Sequence, residues 1–323
     1  MFDLLSGETL KIKLGLKTEA TWKTGFGHLK RLQNLVKGWA NVEPLFISVN
    51  KLPDLDYSNL QIESAGDFYE VICDLDLLIV DEPELDSRYL EVIPENFKVV
   101  GFDELGELRN RLNIHFVTTL LGLDNRVLQR GITKEYIGPD YFIFPELETS
   151  ADIKFDRKIL VTFGGSDPAG LSLNFVKNMS PEILKYSVMV LGPAFKSSIR
   201  NSLQEFRELC FLDAPSSLVP YYKAYPLTIT GGGVSAYEAI RFGSKALLCS
   251  QHTEQYATAQ RLVKKGVACE FGVHPDVNWS ELKLLLTKYI QEDSEIVLPS
   301  GQSLFDGQGV FRVRKILEEY AQS

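Results

Sequence analysis

The sequence predicts an α/β protein with two Rossmann-like domains facing a central cleft. Three observations carry this. Short apolar runs alternate with amphipathic stretches along almost the whole chain, the pattern of parallel strands joined by crossover helices. The pattern restarts near residue 157 after a polar stretch, and 323 residues suffice for two domains of ordinary size. Each half also carries a glycine-flanked turn that runs into a helix: Gly25-Phe26-Gly27-His28 in the first and Gly231-Gly232-Gly233-Val234-Ser235 in the second.

In the first half, Leu10–Leu16 alternates apolar and basic residues as a strand does. Leu29, Leu32, Leu35, Val36 and Trp39 then form one apolar stripe on a helix over His28–Trp39. Leu45–Val49, Leu75–Val80, Phe97–Phe102 and Ile114–Val117 are apolar runs that suit buried parallel strands. The stretch from Asp140 to Asp156, with Pro145 and a polar run behind it, reads as a linker and divides the chain into domains 1–145 and 157–323. The second half is expected to place strands at Lys158–Phe163, Ser187–Leu191, Leu209–Leu212, Leu227–Thr230, Ala246–Cys249 and Val267–Phe271. Helices at Leu171–Met179, Phe195–Phe206, Ser216–Lys223, Ser235–Phe242 and Glu254–Lys265 alternate with them, and two more, Ser280–Gln291 and Val310–Tyr320, close the chain.

Composition removes several classes of function. A hydrophobic content of 45% and a charged content of 24% are those of a soluble globular protein. A net charge of −9 argues against a general nucleic-acid binder, which needs a basic face to neutralise phosphates. Met1–Thr9 has no basic segment leading into an apolar run, and no apolar stretch is long enough to span a bilayer. A cytoplasmic protein without stable membrane insertion is expected. Cys73, Cys210, Cys249 and Cys269 are scattered with no Cys-x-x-Cys pair, and no His/Asp/Glu set has ligand spacing. Neither a metal nor another cofactor is expected.

The glycine turns concentrate the chemistry. A tight glycine turn lets backbone N–H groups approach a ligand, and the helix N-terminus behind it favours an anion. Gly231, Gly232 and Gly233 follow a strand and precede a helix, the context a phosphate-binding turn requires, and a plain turn needs fewer glycines. Val234 and Ser235 open that helix. Glu238, one turn in, is either a solvated carboxylate or the acceptor for the hydroxyls of a ribose. Gly164-Gly165-Ser166-Asp167-Pro168 ends another strand of the same domain and reads as a cap-bearing turn or a second ligand loop. Glu254 and Gln255 follow the strand Ala246–Cys249, as an N-cap region or as contacts to sugar hydroxyls.

In the first domain, Gly27 and His28 stand at the mouth of the sheet. A helix N-terminus favours the neutral imidazole, so His28 is either an exposed polar residue or a general base. Asp81 lies just past a buried strand and is the second candidate acid–base group. His115 and His274 lack supporting context and read as structural.

These segments resemble the nucleotide-sugar hydrolases of pseudaminic acid biosynthesis and their spore-coat polysaccharide relatives, along nearly the whole chain and in order. Gly25-Phe26-Gly27-His28-Leu29-Lys30-Arg31 is similar to the family's Gly-x-Gly-His turn with its following Arg. Leu78-Ile79-Val80-Asp81, Tyr136-Ile137-Gly138-Pro139 and, most specifically, Val161-Thr162-Phe163-Gly164-Gly165-Ser166-Asp167-Pro168 continue the match. Ile229–Gly233 with Tyr237-Glu238, and then Glu254-Gln255, complete it. The resemblance implies a GT-B-like arrangement, shared with the murein N-acetylglucosaminyltransferase, with the last helix crossing back onto the first domain. It implies a UDP-sugar substrate with UDP on the second domain, His28 as the base that activates water, Arg31 near the sugar or phosphate, and Glu238 on the ribose. Two places depart from the family. Its Asp-Ala-Ser near the first strand end is Lys17-Thr18-Glu19-Ala20 here, and its aromatic residue after the strand-end Asp is Pro83. Both are expected to face the sugar. Transfer of the sugar to an acceptor, or nucleotide-sugar binding without catalysis, are the alternatives to hydrolysis.

Overall fold

A computed structural model describes residues 11–21, 25–53, 55–82, 84–104, 106–119, 134–147, 158–292, 296–297 and 301–323. The first domain runs β1 (Ile12–Thr18), α1 (Gly27–Val36), β2 (Val42–Ser48), β3 (Ser58–Gln61), α2 (Ala65–Cys73), β4 (Leu77–Asp81), α3 (Ser87–Val92), β5 (Val99–Phe102), β6 (Ile114–Val117) and β7 (Lys134–Ile137). Its seven strands form one parallel sheet in the order β3-β2-β1-β4-β5-β6-β7. β4 is buried at every position, as its Leu-Leu-Ile-Val-Asp sequence demands of a strand covered on both faces. α2 is held by a reciprocal capping box between Ser64 and Asp67.

The second domain runs β8 (Ile159–Thr162), α4 (Leu171–Asn178), α5 (Pro181–Lys185), β9 (Ser187–Leu191), α6 (Ser197–Gln204), β10 (Cys210–Asp213), α7 (Val219–Ala224), β11 (Leu227–Thr230), α8 (Val234–Arg241), β12 (Lys245–Ser250), α9 (Thr253–Lys264), β13 (Ala268–Val273) and α10 (Trp279–Gln291). Its six strands form a second parallel sheet, β10-β9-β8-β11-β12-β13. The expected two-domain α/β fold is therefore present.

α11 (Gly309–Ala321) ends the chain on the first domain. Val313 and Leu317 are fully buried in the core beneath α1, a contribution of roughly 1.5–3 kcal/mol each. Arg314 donates to the carbonyls of Leu35 and Lys37 at the α1 C-terminus (2.8 and 2.6 Å), and Glu318 accepts from Trp39 Nε1 (2.6 Å). The described part of the expected linker is more apolar than its sequence context suggested. Phe142 and Phe144 enter the second domain's core, while Ile143 between them enters the first domain's. Residues 148–157, the polar half of that linker, lie outside the described residues.

Each sheet reverses its strand order once, between β1 and β4 and between β8 and β11. Ligands of open α/β sheets bind outside the carboxyl ends of the strands at such a point. His28 follows β1 and Asp81 ends β4. The Gly164 loop follows β8 and the Gly231 turn follows β11. The connectivity thus brings the sequence motifs to two facing positions.

Candidate functional site

The two turns meet. Phe26 of the first turn lies on the Gly164 loop, so close that a Cβ on Gly165 would stand 2.8 Å from its ring. A Cβ on Gly27 would stand 3.5 Å from Val234 at the start of α8. Phe26 carries this contact between domains, and nothing in its sequence context marks it.

On the first domain, Asp81 is fully buried, and both its carboxylate oxygens are bonded. Arg31 donates Nε to Oδ2 (2.7 Å) and Nη2 to Oδ1 (2.5 Å), and His28 Nδ1 lies 2.7 Å from Oδ1. Burial would raise this carboxyl, but Arg31 and then His28 outweigh it and hold it below its usual range. An ionised carboxylate only accepts hydrogen bonds, so His28 carries its proton on Nδ1 and leaves Nε2 as the acceptor. Nε2 has no partner among the described residues, and the imidazole is 26% exposed. Asp81 is therefore placed to orient His28, and no free oxygen remains on it to act as a base itself.

Arg31 does not take the position expected of a sugar or phosphate contact. Its side chain is only 4% exposed, and Nη1 donates to Asp103 (2.5 Å) and Thr118 (3.0 Å) while the rest of the guanidinium holds Asp81. Asp103, at a φ of 48°, also accepts from the backbone N–H groups of Thr118 and Thr119 (2.8 and 3.0 Å). Arg31 supports the site from beneath.

On the second domain, the turn Gly231–Gly233 packs on the start of α9. A Cβ on Gly232 would stand 2.1 Å from the Gln255 carbonyl oxygen, and one on Gly231 would stand 2.6 Å from Gln255 Oε1. None of the three glycines has a positive φ. Gly232 is therefore required by packing against backbone, whereas Gly231 and Gly233 meet the end of the flexible Gln255 amide. Gly233 caps α8 without a side chain, so no cap side chain satisfies the backbone N–H groups at the start of that helix. Gln255 is a brace as well: its Oε1 accepts from Gln251 N (3.0 Å), and the Gln251 amide donates to Phe163 O (2.9 Å). Gln251 was not singled out in the sequence, although its place directly after β12 is a usable signal. Glu254 is exposed and pairs with His252 (2.8 Å).

The Gly164 loop is shaped by its own backbone. Gly164 has a φ of +83°, Gly165 O accepts from Ala194 N (2.9 Å), and Ser166 is buried. Asp167 caps α4 through Leu171 N and Ser172 N (2.9 and 2.8 Å), the cap reading of this motif. Burial raises the Asp167 carboxyl against those bonds.

Glu238 is half-buried beside Tyr222, with Lys30 of α1 as a facing cation. Burial pushes its carboxyl up to about 7, against the opposing effects of Tyr222 and Lys30. The Tyr222 phenol is in turn raised well above its usual range by burial and by Glu238.

Lys17 and Glu19 occupy the first departure from the family pattern. Lys17 is 1% exposed and bridges Glu19 (3.0 Å) and Glu82, and Glu19 also accepts from Val49 N (2.6 Å) and Asn50 N (3.1 Å). Burial raises the Glu82 carboxyl, against Lys17. Pro83, the second departure, lies outside the described residues. His115 is buried between Glu135 (Nδ1, 3.2 Å) and the Glu104 N–H, away from these turns. Among the described residues no group of three or more His, Cys, Asp or Glu could hold a metal ion, and no helix is long and apolar enough to cross a membrane.

No protein-family model matches the chain. It is 26% identical over 333 residues to the spore coat polysaccharide biosynthesis protein SpsG of Bacillus subtilis, covering 95% of this chain and 98% of that one. Its fold matches that of Anabaena HepE, solved with UDP and glucose, at a TM-score of 0.64 and 11% identity over 95% of this chain and 100% of the other. It also matches Acinetobacter baumannii MurG at a TM-score of 0.59 and 12% identity, over 95% and 99% of the two chains. The two domains have the GT-B architecture of these structures.

Proposed function

We propose that this protein is an enzyme of polysaccharide biosynthesis that binds a UDP-sugar in the cleft and displaces UDP from its anomeric carbon. The observation that carries the reading is the His28–Asp81–Arg31 chain, which fixes the imidazole with its second nitrogen unpartnered among the described residues, one residue from the Gly27 contact to Val234 at the start of α8. In this reading the nucleotide lies on the second domain, residues 157–323. Its diphosphate rests on Gly233, Val234 and Ser235, with Gly164–Ser166 beside it, and Glu238 accepts from the ribose. The sugar faces the first domain, residues 1–145. His28 takes the proton of an incoming hydroxyl, whose oxygen attacks the anomeric carbon as the bond to the diphosphate breaks. The leaving UDP gains charge where the α8 N–H groups can stabilise it. HepE is solved with UDP-glucose as well, which supports a UDP-sugar for this cleft.

The finer reading is that water is the nucleophile and the substrate a UDP-activated amino or deoxy sugar, as in pseudaminic acid biosynthesis. It rests on the motif resemblance. The second reading, transfer to an acceptor hydroxyl, is favoured by the fold shared with MurG and with the glycotransferase of kitacinnamycin. A panel of UDP-sugars, read by released UDP and by NMR of the sugar product, separates them. Free sugar formed without acceptor supports hydrolysis, and UDP release that requires an acceptor supports transfer. Binding with no release under either condition refutes an enzyme and leaves a nucleotide-sugar binding protein.

A further inference from the structure

The Lys17–Glu19–Glu82 trio lies at the carboxyl ends of β1 and β4, on the first-domain side of the proposed site. Lys17 belongs to β1 and Glu82 directly follows Asp81 at the end of β4, so the trio lies at the same strand-order reversal as His28. Glu19 is saturated: Lys17, two backbone N–H groups and the Asn50 side chain all donate to it. Glu82 is not. One of its oxygens takes Lys17, and Oε2 has no hydrogen bond among the described residues. Its side chain is 11% exposed, and it directly follows Asp81, the partner of His28. One lysine between two carboxylates leaves the trio with an excess negative charge when both are ionised. No other cation pairs with Glu82 among the described residues.

We infer that Glu82 selects the glycosyl group of the substrate. Its free oxygen accepts a hydrogen bond from a hydroxyl, amide or ammonium group on the sugar, and the trio's excess charge rejects a sugar that carries a carboxylate. Lys17 is the positioning residue. Its short stack of contacts, including the Tyr89 ring at 5.8 Å, fixes the carboxylate instead of leaving a mobile surface acid. The substrate class is thus a UDP-sugar with a neutral or amino-bearing glycosyl group, and UDP-uronic acids are excluded. An unneutralised like charge within one or two bond lengths of hydrogen-bond range costs roughly a tenfold or greater loss of affinity.

This inference rests on the proposed nucleotide site, and the test separates the two. Calorimetry measures UDP, UDP-glucose, UDP-N-acetylglucosamine and UDP-glucuronate against the full chain and against Glu82→Gln. Wild type should bind UDP-glucuronate about tenfold or more weakly than UDP-glucose. Glu82→Gln should narrow that ratio to about threefold or less, with UDP affinity unchanged. Equal binding of UDP-glucose and UDP-glucuronate by wild type overturns the inference, and this comparison stands by itself should the variant fail to fold. A ratio that persists in a folded Glu82→Gln protein overturns it too. Absence of UDP binding by wild type defeats the nucleotide site instead.

Discussion

Glu238 offers a prediction whose magnitude comes from the structure. Its carboxyl is pushed up to about 7 by burial, so near neutrality the free protein holds it partly protonated. A ribose that donates two hydroxyls needs the ionised acceptor. The ionised fraction falls about thirtyfold between about pH 8 and about pH 5.5, which weakens binding by the same factor, roughly 2 kcal/mol. The folded apo protein has the opposite preference. A raised carboxyl contributes stability that is present in acid and lost as pH rises through about 7. UDP-glucose is the ligand of choice because its diphosphate is doubly esterified and does not titrate in this window. His28→Asn is the background of choice because it blocks turnover. Calorimetry across this range should show the fall, together with release of up to about one proton per ligand at the acid end. Glu238→Gln should bind weakly throughout, with a much flatter profile. A flat profile in the parent, or an unchanged slope in Glu238→Gln, refutes the assignment of this carboxyl to the ribose.

The other predictions concern the two turns and their supports. His28→Asn should lower UDP release from the preferred sugar by about 10²–10⁴-fold with UDP affinity nearly unchanged, since the proposed nucleotide site is on the other domain; retained turnover removes His28 as the base. Asp81→Asn should cost about 3–5 kcal/mol in urea unfolding near neutrality, because it leaves the Arg31 guanidinium buried with Asp103 alone. Asp81 is held below its usual range, so its contribution in wild type is present at neutral pH and lost in strong acid, and the variant's unfolding should depend less on acid pH. Gly232→Ala should destabilise by about 1–3 kcal/mol or more, since its methyl meets a backbone carbonyl oxygen at 2.1 Å. Gly233→Ala should keep its melting temperature within a few degrees and weaken UDP binding; the reverse pattern places the ligand elsewhere.

The architecture was legible because its strands are fully buried and its helices amphipathic. Ser187–Leu191, Leu227–Thr230 and Ile114–Val117 form strands with the bounds the apolar runs mark. β3 escaped because all four of its residues are exposed at the sheet edge, so neither an apolar run nor an alternation announces it. α1 stops at Val36 although the apolar stripe continues to Trp39. Gly38 at a φ of +70° breaks the helix, and Trp39 buries itself in the core as part of the following turn.

In the site, what the sequence shows is what a few consecutive residues can encode: two glycine turns, a histidine at a helix start, an acid at a strand end. What it hides are the partners that only the sheet order assembles. Arg31, three residues after His28 on the same helix, reads locally as a cation available to a ligand. Its actual partners, Asp81 and Asp103, are 50 and 72 residues away, and they meet it because β1, β4 and β5 are successive in the sheet. Lys17 and Glu82 are 65 residues apart and meet for the same reason. Arg31, Asp81, Lys17 and Glu82 are buried and Asp103 nearly so, and a buried charge is tolerated only when paired. Every local departure from the family pattern at such a position therefore needs a second change far away in sequence. Lys17 and Glu82 are such a compensated pair at the carboxyl ends of β1 and β4: a change of charge at either one strands the other in a buried position 65 residues away.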